Sequence, residues 1–220
     1  MDGNDFGATG PATRQPQNLP TALTSAGPHF GAPRLVSPVA REQVYLEIMT
    51  KIYTKKGDKG KTTICGMEVS KNHPRLVVLG CLDELQSAIG VALSFASELK
   101  ILSEIQEDLM EIEAAISVEY RPVSGKLKKK TAILEKEIDK IEKSLTPLKN
   151  FILPGGGKAG SLIHFSRAIC RRAEQGMVTF SQKEKIQPEI IAYLNRLSDF
   201  LFALARWANK QDGMKEKIWS

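Results

Sequence analysis

A chain of 220 residues can bury a substantial core, and 31 Lys and Arg against 25 Asp and Glu leave a formal charge of +6, which favours phosphorylated or acidic ligands over cationic ones. The three cysteines, Cys65, Cys81 and Cys170, form no CxxC pair, which excludes a disulfide scaffold and points to packed thiols in a reducing compartment. No apolar run approaches the length needed to span a bilayer, and the basic tripeptide Lys128-Lys129-Lys130 lacks interleaved aromatics, so neither a membrane nor nucleic acid is expected as a partner.

Residues 1–48 are rich in Pro, Gly, Ser and Thr and carry no sustained periodicity. Too few apolar side chains are available to offset ordering entropy, so a disordered extension is expected, followed by a helical domain over 49–220. A start at Met49 fits a cytoplasmic protein; use of Met1 leaves room for a mitochondrial transit segment, although Asp2 and Asp5 are badly placed for one.

The segment TKKGDKGKTT, Thr54 to Thr63, carries Lys55, Lys56, Lys59 and Lys61 around Gly57 and Gly60, with hydroxyls at Thr62 and Thr63. Glycines that let the backbone turn closely, with cations and hydroxyl donors beside them, suit an anion. The spacing is not that of a Walker loop, and a solvated lysine-rich turn explains the segment equally well.

From Arg75 onward the pattern is helical. Leu76, Leu79, Leu82, Leu85 or Gln86, and Ile89 give a first stripe; Ile101, Ile105, Leu109, Ile112 and Ile116 give a second. Ile133 or Leu134, Ile138, Ile141 and Leu145 give a third, ended by Pro147. A fourth helix is predicted from Ser161, whose hydroxyl can cap it, to Phe180, and a fifth after Pro188 on Ile191, Leu194, Leu197, Leu201 and Leu204. Five such helices imply an all-α bundle. Tyr193, Phe200, Phe202 and Trp207 fall outside the last stripe, as if self-association covered them.

Charged residues punctuate these helices. Asp83 and Glu84 interrupt an apolar segment; an unpaired buried carboxylate is costly, so Asp83 faces solvent or finds a cation, with Arg167 a candidate. LPGGGKAG, Leu153 to Gly160, permits backbone conformations closed to other residues, and serves either a ligand or a helix connection. Beyond it His164, Arg167, Arg171 and Glu174 recur at three, four and three, along one face, and such a stripe of arginines needs an anion. Asn195 offers donors and an acceptor, or is a solvated helix residue.

Taken in order, TKKGDKGKTT, GCLDELQSAIG, FILPGGGKAG, SRAICRRAEQ and YLNRLSDFLFALAR resemble the PduO-type ATP:cob(I)alamin (corrinoid) adenosyltransferase family, over roughly Lys51 to Lys210. The resemblance implies a five-helix bundle assembling as a homotrimer, with ATP bound between neighbouring subunits. By it, Thr54, Lys55, Lys56, Gly57, Thr62 and Thr63 wrap the triphosphate and Lys71 approaches it; Arg171, with Arg172, Glu174 and Gln175, completes the site, and Asn195 lies near the nucleotide. Asp83 and Arg167 match a pair joining adjacent protomers, and Phe151 an aromatic that keeps the lower corrin face free of an axial ligand. Gln175 departs from the arginine common at that place.

The implied reaction is transfer of the 5'-deoxyadenosyl group of ATP to cob(I)alamin, an activity also described for cob(I)yrinic acid a,c-diamide, giving adenosylcobalamin and triphosphate. Mg2+ is expected with ATP, although no dense carboxylate cluster announces a metal cage; Glu174 either influences that ion or pairs with an arginine. A corrinoid reductase or an adenosylcobalamin-dependent enzyme is a candidate partner. The alternatives are a non-catalytic ATP- or polyphosphate-binding helical module and a purely structural oligomer.

Overall fold

The computed structural model of the protein describes residues 53, 55, 57–64, 66–117, 123 and 125–219. The expected extension over 1–48 lies outside the described residues, as do Thr54, Lys56 and Cys65. Backbone proximity separates Met1–Tyr53 from Thr54–Ser220, and the fold below belongs to the second unit.

A hairpin of β1 (Lys61–Ile64) and β2 (Met67–Ser70) opens it, with Lys61 opposite Ser70 and Ile64 opposite Met67. Helices α1 (Pro74–Phe95), α2 (Lys100–Ser117) and α3 (Leu127–Glu142) follow. A two-residue strand β3 (Ile152–Leu153), helices α4 (Lys158–Ser181) and α5 (Pro188–Gln211), and β4 (Lys217–Ile218) complete the unit. β3 and β4 pair antiparallel, tying the chain end to the segment that precedes α4.

Proline at the first turn starts both α1 and α5, where its missing N–H costs nothing. On α1 the imidazole of His73 also accepts from the Arg75 amide at 3.3 Å. α4 packs against both α1 and α5, α3 packs on α5, and α2 on α1. The seam of α2 is as expected: Ile105, Leu109, Ile112 and Ile116 are buried, with Ile101 packed at its edge. In α1 it is rotated, with Val78, Leu82, Leu85, Ile89 and Ala92 inside and Leu76 and Leu79 half-buried.

A polar knot crosses this core. Tyr193 Oη donates to Asp108 Oδ2 at 2.8 Å, and Lys130 Nζ lies 2.9 Å from Asp108 Oδ1, linking α5, α2 and α3. Burial, aided by the Asp108 charge, pushes the Tyr193 hydroxyl well above its ordinary pKa, so it stays a donor.

Four expectations change. Tyr193 and Phe200 are fully buried rather than left for self-association, because α5 is covered by α4 on one side and α3 on another; Trp207 also packs against the core, and Phe202 is half-buried. α4 starts at Lys158, so Ser161 is inside the first turn and does not cap it; its hydroxyl meets Gly156 O at 3.4 Å. Two short ribbons accompany the helices. Pro74–Phe95 is, by length and a mean hydropathy of 1.7, apolar enough to cross a membrane, contrary to the composition reading; in the fold its buried side chains pack into the bundle core.

Candidate active site

The helical part of the site begins where α5 grips the glycine loop. Asn209 Oδ1 accepts from the Gly157 amide at 2.9 Å, and its Nδ2 donates to Gly155 O at 2.8 Å. A Cβ on Gly156, which holds φ +115, or on Gly160 would collide with the Asn209 side chain. Of the two uses open to LPGGGKAG, close approach of a helix is therefore the one these glycines serve here. Asn209 is buried, and neither periodicity nor motif singled it out.

Fixed in this way, α4 distributes its polar face along a gradient of exposure. His164 is 3 % exposed, Arg167 half-buried and Arg171 exposed. Arg167 and Arg171 share a cavity of about 370 Å³ with Glu142, Arg196, Asp199 and Phe202. Arg196 is engaged by Glu135 and Asp199, whereas Arg171 has no ion pair among the described residues. Burial, with the neighbouring Arg171 charge, lowers the Arg167 pKa, and its Nε is buried without a partner. Four arginines against two carboxylates line this cavity, and with Arg196 and Arg206 already paired, Arg167 and Arg171 are left to fit a polyanion.

A second cavity, about 780 Å³, adjoins the first and shares Arg167 and Phe202 with it. Phe151, His164 and Trp219 line its other sides. Phe151 is 79 % exposed and Trp219 63 %; they are brought opposite each other by the β3–β4 ribbon, where the Trp219 amide donates to Phe151 O at 2.9 Å. Trp219 lies beyond every recognised motif, and its place depends on a two-residue strand with no sequence period of its own. Arg206, buried, steadies that ribbon by pairing with Glu216 and donating to Thr146 O at 2.8 Å.

The remaining predicted residues divide. Glu174 accepts from Asn195 Nδ2 at 2.8 Å, joining those two beside Arg171. Arg172 pairs instead with Glu84 of α1, away from the arginine cavity, and Gln175 is exposed. Asp83 does not meet Arg167 within the chain: its charge bears on Glu113 of α2, whereas Arg167 turns toward α5. The intrachain pairing considered from sequence is thus not made.

Gly57, Thr62, Thr63 and Lys71 form a separate group on the β1–β2 hairpin. A Cβ on Gly57 would stand 3.0 Å from Lys71 Nζ, and the Lys71 amide donates to Gly60 O at 2.8 Å, so the lysine folds over the loop. Lys55 holds φ +59, a conformation that residues with a Cβ rarely adopt outside constrained loops. None of these residues lines either α4 cavity.

A family profile described as cobalamin adenosyltransferase matches residues 52–208. The chain belongs to the cobalamin adenosyltransferase family. Corrinoid adenosyltransferase MMAB of Mus musculus is 40% identical over 182 residues, covering 77% of this chain and 77% of that one. The corrinoid adenosyltransferase of Bacillus subtilis is 38% identical over 172 residues, 74% of this chain and 89% of that one. Among solved structures, a single-residue variant of the PduO-type ATP:corrinoid adenosyltransferase from Lactobacillus reuteri, complexed with cobalamin and ATP, superposes with a TM-score of 0.73 at 35% identity, covering 77% of this chain and 99% of that one. In this chain the arginine cavity and the aromatic chamber lie side by side across Arg167 and Phe202.

Proposed function

We infer that this chain transfers the 5'-deoxyadenosyl group of ATP to cob(I)alamin, giving adenosylcobalamin and triphosphate. The observation that carries the reading is the wall formed by Arg167 and Phe202, common to a cationic cavity and an aromatic one in a chain of this family. Cobalt(I) is the nucleophile: its electron pair forms the cobalt–carbon bond at the ribose 5' carbon, and the carbon–oxygen bond breaks onto the departing triphosphate. No protein nucleophile is required. The chain supplies alignment, charge stabilisation of the leaving group and exclusion of water.

In this reading Arg171 stabilises the charge that grows on the triphosphate, and Arg167 orients both substrates at the boundary of their cavities. Glu174 and Asn195 hold each other in position beside the nucleotide. Phe151 and Trp219 present aromatic faces to the corrin; rings at that position offer cobalt no axial ligand of their own, which favours an uncoordinated lower face and the reduced metal. Cys170 is not a nucleophile, because burial raises its thiol pKa far above neutrality.

Thr54, Lys55, Lys56, Gly57, Thr62, Thr63 and Lys71 complete the triphosphate site from a neighbouring subunit of a trimer, and Asp83 of one subunit meets Arg167 of the next. Among the described residues, Gly57, Thr62, Thr63 and Lys71 line neither α4 cavity, which supports that assembly. Arg172 and Gln175 act at its periphery. Among the described residues no three His, Cys, Asp or Glu side chains gather as a metal cage, so Mg2+ is proposed only as the counter-ion that ATP brings with it. The reaction is placed in the cytoplasm, or in the mitochondrial matrix if residues 1–48 are cleaved on import; sequencing the mature N-terminus tests this.

The function is tested by adding ATP to the purified protein with cob(I)alamin under reducing conditions and following the corrinoid spectrum. Adenosylcobalamin should form with the wild-type chain and far more slowly with Arg171→Ala; nucleotide binding without any cobalt–carbon bond formation defeats the reading.

A further inference from the structure

His164 is a buried polar group that the mechanism leaves unused. Both ring nitrogens are shielded from solvent and neither has a hydrogen-bond partner, an arrangement native proteins rarely tolerate without a ligand or ordered water to complete it. The ring sits tilted against Phe202, centroids 5.9 Å apart. It lines the aromatic chamber and also a side pocket of about 240 Å³, whose walls include Pro154, Gly155, Gly156 and Asn209.

We propose that this side pocket is a subsite for one carboxamide side chain on the rim of the corrin, with His164 as its hydrogen-bonding anchor. The proposal rests on the reading that the chamber receives the corrin. A neutral imidazole offers an N–H on one ring nitrogen and a lone pair on the other, directed apart, and a primary carboxamide can meet either one, through its oxygen or its N–H. The Asn209 amide behind it is committed to Gly155 and Gly157, so it cannot take that role. Glu216 at the mouth is held by Arg206. Burial, with the Arg167 charge nearby, lowers the His164 pKa to about 4, so near neutrality the ring carries no charge with which to hold a carboxylate. Lys215 and Lys217 also line the pocket, so any charge sensing there belongs to them, and His164 contributes a neutral hydrogen-bonding edge.

His164 acts on binding and orientation, not on the transferred group, and the test separates it from a packing role. Corrinoid and ATP affinities are measured on the full chain for wild type, His164→Phe and His164→Gln, with thermal midpoints recorded for each. His164→Phe should lose about tenfold in cobalamin affinity through the missing hydrogen bond and leave ATP affinity unchanged, and His164→Gln should recover most of the loss. Wild-type corrinoid affinity in a folded His164→Phe overturns the proposal, as does an equal loss of ATP affinity.

A second measurement needs no variant. Partial hydrolysis of cobalamin converts single rim carboxamides to carboxylates, and the separated isomers are compared on the wild-type protein. The isomer altered at the anchored position should differ from the others in affinity by about tenfold; uniform affinity overturns the proposal. Trp219→Ala distinguishes the levels of failure. If the chamber does not receive corrin, that change also leaves corrinoid affinity intact; if only the subsite is wrong, it weakens binding while His164→Phe does not.

Discussion

The guanidinium of Arg167 lies over the ring of Phe202, 5.9 Å from its centroid, and the two side chains form the boundary between the cationic cavity and the aromatic chamber. A cation held on an aromatic face is fixed without consuming its hydrogen-bond donors. Arg167 therefore keeps donors available at the boundary of the two cavities, where the proposed reaction brings nucleotide and corrin together.

Arg171, exposed and without an ion pair in that cavity, is the residue that the proposed reaction assigns to the leaving group. Arg171→Ala should lower kcat by roughly 10² to 10³, the range for loss of one donor that stabilises developing charge. Thermal stability should stay near wild type, because no intramolecular pair is broken. Steady-state adenosylation and a melting curve on the same preparation check both parts.

Phe151 contributes an exposed ring and little to the core. Phe151→Ala should therefore leave the melting temperature nearly unchanged while slowing adenosylation at least about tenfold, since water can then approach the lower face of the cobalt. The absorption spectrum of bound cob(II)alamin in the presence of ATP reads this directly: the ligand-free signature expected of wild type should diminish in the variant.

Asn209 satisfies two backbone groups of the glycine loop at once. Asn209→Ala should cost about 2 kcal/mol in urea unfolding, because the Gly155 carbonyl and the Gly157 amide lose their partner. Gly160→Ala should destabilise by another route, through collision with the Asn209 side chain.

His164 predicts a pH dependence of stability. Its pKa is about 4 in the fold against an ordinary value of 6.5, chiefly through burial and next through the Arg167 charge; Glu216 opposes the shift and Arg206 adds to it. Between those values the unfolded chain binds a proton that the folded chain refuses, so stability falls as pH drops from 6.5 to about 4 and this contribution then levels off. Chemical denaturation across that window should show a shallower fall for His164→Phe than for wild type.

Much of this architecture was legible because Ile and Leu recur at threes and fours, as in the α2 seam from Ile105 to Ile116. Periodicity failed on α5, where Tyr193 and Phe200 are buried: a helix covered on two sides has no single stripe to read. It failed again at the start of α4, where the partner of the Gly157 amide comes from Asn209, far along the chain. Arg167 and Arg171 were visible as a spaced pair, and their shared cavity follows. Trp219 was not, because its position comes from the β3–β4 pairing rather than from any local pattern.

The central claim is that the hairpin and α4 meet only between subunits, and mixed oligomers test it most directly. Lys71→Ala and Arg171→Ala are each made alone, then refolded together in equal amounts so that subunits exchange. A site built from one subunit's hairpin and its neighbour's α4 should restore roughly a quarter of wild-type adenosylation, the share of interfaces in which both contributions are intact. Activity no greater than the sum of the two parents would contradict the account.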